Sequence, residues 1–131
     1  MRGPKVLGLT LDTGALLALD HPAKAPLMLT RIDELRYRRG MLCIPAGVIA
    51  QAWRSSLQVH LARLIKSLDT EIAVMDLDVA RSVGLLCAAS GHHDVIDVHV
   101  ALCARERGHA VVTSDHEDIA RVDPSLVIFR I

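Results

Sequence analysis

Two kinds of apolar pattern alternate along the chain. Short, predominantly apolar runs occupy positions 6–11, 41–44, 71–75, 110–113 and 126–131. Their brevity and their β-branched content mark strands buried on both faces. Between them, apolar residues recur at steps of three and four, the spacing of a single helix face. A short helix over 15–20 ends at His21-Pro22, and Leu27, Leu29, Ile32 and Leu35 line a helix over 24–39. Pro45 is placed as the first residue of a third helix reaching about Ser55. A fourth helix over 58–68 continues a face of Leu57, Leu61, Leu64, Ile65 and Leu68. Asp76 or Asp78 caps a helix through Val79, Val83, Leu86 and Cys87 that ends near Ser90-Gly91. Asp94 starts another, and a last one follows Asp115.

Strands that alternate with helices in this way predict an α/β fold. The expected form is a three-layer α/β/α sandwich, with a mostly parallel sheet of about five strands in a single domain over 1–131. Tyr37, Trp53 and Phe129 are the only aromatic residues, so the core must be built from Leu, Val, Ile and Ala. Formal net charge is zero; no broad basic field points to nucleic acid, although a local basic stripe is all that RNA needs. Cys43, Cys87 and Cys103 show no ligand spacing, so they are read as reduced core thiols, which implies the cytoplasm. The longest stretch without formal charge, 40–53, falls short of the roughly 20 residues that span a bilayer, so no membrane partner is expected.

The chemistry lies in the acids. Asp12 follows the first strand and Asp115 the fourth, and in parallel sheets reactions gather in the crevice beyond the strands' carboxyl ends. Asp94 and Asp97 lie one turn apart and point the same way. Asp97 sits inside an apolar helix, among Val95, Ile96, Val98 and Val100, with no Lys or Arg within a turn. A covered carboxylate without a partner is costly, and several together repel unless a divalent ion offsets them. Asp12, Asp97 and Asp115 are therefore the candidate metal ligands, with Asp94 as a further candidate or as a helix cap. Oxygen donors of this kind suit Mg2+ or Mn2+ more than zinc. Such an ion would serve phosphodiester cleavage. Asp118 is read as a solvated helix residue, and His92 and His93 as loop histidines that could touch phosphate.

With these residues in view, the chain resembles the PIN-domain nucleases and, among them, the VapC toxins of bacterial toxin–antitoxin pairs. The resemblance rests on Leu11-Asp12-Thr13-Gly14-Ala15-Leu16-Leu17-Ala18, on Asp97-Val98-His99-Val100-Ala101-Leu102-Cys103-Ala104 and on Val112-Thr113-Ser114-Asp115. It implies a PIN-like fold and a Mg2+- or Mn2+-dependent endoribonuclease with Asp12, Asp97 and Asp115 as its acids. Thr113 or Ser114 would support Asp12 or the metal's waters. It also implies a homodimer, a cellular RNA substrate and a cognate VapB-type antitoxin. The family places a fourth acid, usually Glu, where this chain has Gln51. An amide can offer an oxygen but no charge, so a catalytically weak or inactive module that binds RNA or antitoxin is the alternative, and Asp94 or Asp118 is left to fill the gap.

Other readings fail on single residues. Asp12-Thr13-Gly14 matches the aspartic-protease triplet, but those enzymes are all-β. Receiver domains need a Lys after a late strand, and haloacid-dehalogenase-type phosphatases need a second Asp where Gly14 stands. Candidate substrate contacts are Arg54, His92 and His93, then Arg36, Arg38, Arg39, Arg63 and Lys66. Trp53, Leu57 and Leu61 could border a groove for a partner helix.

Overall fold

A computed structural model describes residues 6–131. Five strands, β1 (Gly8–Leu11), β2 (Met41–Pro45), β3 (Thr70–Ala73), β4 (His109–Thr113) and β5 (Ile128–Arg130), form one sheet in the order β3-β2-β1-β4-β5. Every neighbouring pair is parallel. Seven helices connect them: α1 (Thr13–Ala18), α2 (Ala25–Tyr37), α3 (Ala46–Ala52), α4 (Val59–Ile65), α5 (Leu77–Ser90), α6 (Val95–Arg107) and α7 (His116–Val122). The chain winds outward from β1 to β3, then crosses back to lay β4 on the other side of β1. Chain direction across the sheet thus reverses between β1 and β4, the place where open α/β sheets form a crevice.

The main core runs through β1, β2 and β4 with Leu16, Met28, Ile32, Leu35, Val48, Leu61 and Val100 packed on them. A second cluster, Val83, Val98, Ala101, Leu102 and Val122, joins α5, α6 and α7. The result is a three-layer α/β/α fold, as the alternation predicted. α6 lies against β1, β2 and β4 and is buried without a break from Val98 to Ala104. Gly91 (φ 72°) and Gly108 (φ 67°) close α5 and α6 in the left-handed conformation that glycine adopts without strain.

Three expectations need correcting. Pro45 ends β2 and precedes α3 rather than opening it. The fourth helix stops at Ile65, so Leu57 (84 % exposed) and Leu68 (102 %) sit in flanking turns rather than on its buried face. Leu61 is fully buried, so it borders no groove, while Trp53 and Leu57 are exposed. The start of α4 is fixed from a distance: Asp20 accepts the His60 and Leu61 N–H groups at 3.0 and 3.2 Å.

Candidate metal centre

β1 and β4 run side by side with Leu11 opposite Val112, so Asp12 and Thr113 emerge together at the crevice. The Asp12 N–H donates to the Val112 carbonyl at 3.2 Å. Asp12 is buried, with 5 % of the residue exposed. Oδ1 accepts the Ala15 N–H at 2.9 Å, capping α1, and Oδ2 accepts the Thr113 hydroxyl. The same Thr113 oxygen accepts the Asp115 N–H at 2.7 Å. One buried hydroxyl thus ties Asp12 to the turn that carries Asp115. Burial raises the Asp12 carboxyl above its ordinary range against the pull of those hydrogen bonds, and the Asp97 charge raises it further.

Thr113→Val keeps the side-chain shape but removes both bonds. It should cost about 1–3 kcal/mol, the usual penalty for stranding covered polar groups. Urea unfolding would measure it; a loss under about 0.5 kcal/mol would mean that the hydroxyl positions nothing.

Asp97 lies in the first turn of α6, not at mid-helix as its apolar neighbours suggested. Asp94 is the cap of that helix: its Oδ1 accepts the N–H groups of Ile96 and Asp97 at 2.9 and 3.1 Å. Asp97 also has a partner that the sequence reading missed. His92 Nε2 stands 3.0 Å from Asp97 Oδ2, with 11 % of the His92 side chain exposed. His92 is therefore no free loop histidine, whereas His93 is exposed. Burial raises the Asp97 carboxyl; the His92 bond opposes this, and the charges of Asp94 and Asp118 add to the rise.

Asp118 likewise departs from the solvated reading. It projects one turn beyond Asp115, and one ligand atom each from His92, Asp97 and Asp118 lie within 4.8 Å of one another. The Asp115 carboxyl is pushed up to about 6 because, when protonated, it donates to the Asp118 carboxylate, with burial and the charges of Asp118, Asp97 and Asp12 contributing in turn. A carboxyl whose folded pKa lies above its unfolded value favours folding at low pH and loses that contribution as pH rises through the folded value. Without divalent ions, Asp115→Asn should therefore melt above wild type at pH 7.5, by an amount that solvent screening of this exposed group keeps small, and the gain should vanish near pH 4. Melts at the two pH values check this, and an equal gain at both would contradict it.

Gln51, exposed on α3, reaches the same edge through Thr13, whose hydroxyl donates to its Oε1. Ser114 packs against Gly14, where an added Cβ would lie 1.9 Å from Ser114 Oγ. Arg54 turns back on its own helix end, donating to the Ala50 and Trp53 carbonyls at 2.9 and 2.7 Å. Arg36 pairs with Asp69 at 2.8 Å, away from the acids. The crevice has one cation at its rim that the sequence reading passed over. Arg130 at the end of β5 donates to His116 Nδ1 at 3.1 Å, in a pocket shared with Ser114 and Asp115.

The donor set suits a divalent ion. Among the described residues no Lys or Arg pairs with Asp12, Asp97, Asp115 or Asp118, and His92 is the one basic partner. Carboxylates at the crevice of a parallel sheet, carried by β1, α6 and the β4–α7 turn, define a PIN-like α/β/α fold. Solved structures share it. A chain of FitAB bound to the IR36 DNA fragment superposes with a TM-score of 0.66 at 16 % identity, covering 93 % of this chain and 94 % of its own. PAE2754 from Pyrobaculum aerophilum gives 0.62 at 18 %, covering 93 % and 83 %. No family model and no curated protein matches the chain. Among the described residues no helix is long and apolar enough to cross a membrane.

Proposed function

We propose that the chain is a Mg2+- or Mn2+-dependent endoribonuclease of the VapC type, the toxin of a toxin–antitoxin pair. The observation that supports this reading is the acidic crevice itself. Asp97 lies with His92 and Asp118 in a group whose ligand atoms are within 4.8 Å of one another. Asp12 and Asp115 lie outside that group but near enough for the Asp97 charge to raise both carboxyls. Held there, the ion would lower the pKa of a bound water and offset charge on the scissile phosphate. Asp12, Asp97 and Asp115 would hold it. Thr113 would orient Asp12 and the Asp115 turn, and Ser114 would set the approach of that turn to α1. Arg130 is a better candidate for a substrate phosphate than Arg54, because its guanidinium faces the pocket that Asp115 lines. A paired antitoxin of the VapB type, which the resemblance of the sequence motifs implies, and a homodimer in the cytoplasm complete the proposal.

A second reading, a PIN-like module that binds without cutting, is favoured by one contact. The Gln51 oxygen, which stands where the family places its fourth acid, already accepts from Thr13. Total RNA incubated with the full chain in Mg2+, Mn2+ or EDTA separates the two. The nuclease gives fragments that EDTA abolishes, without 2′,3′-cyclic phosphate ends, because the attacking oxygen comes from water. Intact RNA in both ions would favour the binding module.

A further inference from the structure

We propose that His92 is itself a metal ligand, and that with Asp97 and Asp118 it builds a mixed nitrogen–oxygen position that prefers Mn2+ and later transition ions to Mg2+. The inference rests on the divalent-ion reading above and assigns this chain's own residues to it. Two ligand atoms on adjacent vertices of an octahedron with bonds of about 2.1 Å stand about 3.0 Å apart. That is the separation between His92 Nε2 and Asp97 Oδ2. Asp118 supplies the third atom of the group.

The neighbouring acids and amides are committed elsewhere. Asp94 spends Oδ1 on two helix N–H groups. The Gln51 oxygen is held by Thr13. Asp118, whose carboxylate groups with His92 and Asp97, is the acid placed to complete this position. The imidazole is also set in place before any ion arrives. Gly91 ends α5 in a left-handed turn, and the His92 N–H donates to Ser90 Oγ at 3.2 Å. Mg2+ takes oxygen donors almost to the exclusion of others, whereas an imidazole nitrogen suits transition ions.

A purely orienting role for His92, as a donor to Asp97, is the competing explanation. His92→Gln distinguishes the two, because the glutamine amide keeps an N–H donor near the position of Nε2 but is a poor ligand. Mn2+ binding to the full chain, read from loss of the free-ion electron paramagnetic resonance signal, is measured with and without Mg2+ as competitor. Wild type should prefer Mn2+. His92→Gln should lose about tenfold or more in Mn2+ affinity, and its Mg2+ affinity should move by less than about twofold. Asp118→Asn should also weaken Mn2+, with circular dichroism showing both variants folded. If His92→Gln keeps wild-type Mn2+ affinity, or weakens both ions equally, His92 is not a ligand. Cleavage is not the readout, so the nuclease reading fails separately: an ion held by His92 in a chain that cuts no RNA would overturn that reading alone.

Discussion

Asp97→Asn should abolish RNA cleavage and leave the fold intact. The substitution is nearly isosteric, and the backbone N–H of residue 97 still donates to the capping Asp94. The amide can also still meet His92, so α6 keeps its first turn. What disappears is a carboxylate that groups with His92 and Asp118 and whose charge also reaches Asp12 and Asp115. An ion that offsets charge on a phosphodiester contributes several kcal/mol, so the expected fall in rate is about a hundredfold or more. Single-turnover cleavage of a labelled RNA, paired with a thermal melt, gives both halves of the result. A rate within about twofold of wild type would remove Asp97 from the chemistry.

The second large effect concerns the sheet that brings the acids together. A Cβ added at Gly8 would lie 2.2 Å from the Met41 carbonyl oxygen and 2.5 Å from His109 Nε2. Gly8 pairs with Met41 on one side and His109 on the other, at the entry to β1. A ladder carbonyl has no rotamer by which to swing aside, and His109 is held through Nδ1 by Thr10 at 3.1 Å. Gly8→Ala should therefore cost about 2–4 kcal/mol and lower the melting temperature by roughly 10 °C. Gly84 is the control. It lies within α5 with nothing inside 4 Å of an added Cβ, so Gly84→Ala should be neutral or stabilising by up to about 1 kcal/mol. Equal melts for the two variants would contradict the tight approach at β1.

Much of this architecture is legible in the sequence, because short apolar runs alternating with helical stretches leave few topologies. The carboxyl-end placement of Asp12 and Asp115 follows from the same pattern, since each stands just past a strand. The spacing of α4 misled: Leu57 and Leu68 continue its three- and four-residue steps, but the helix ends at Ile65, and periodicity cannot report where hydrogen bonding stops. Asp118 had a usable signal, lying one turn from Asp115 and hence on the same face. His92 had none. It sits in a loop, and its approach to Asp97 depends on the turn at Gly91 and the packing of α5 and α7 around α6, which local pattern does not encode. Gln51 was placed by resemblance, but its bond to Thr13 depends on the packing of α1 against α3.

The proposal that Asp12, Asp97 and Asp115 hold one ion is tested most directly by anomalous diffraction from crystals of the wild-type chain soaked in Mn2+. A peak should lie within about 2.5 Å of carboxylate oxygens from Asp12, Asp97 and Asp115. A soaked crystal with no peak in the crevice between β1 and β4, or with its only peak elsewhere on the surface, would contradict the site and the nuclease built on it.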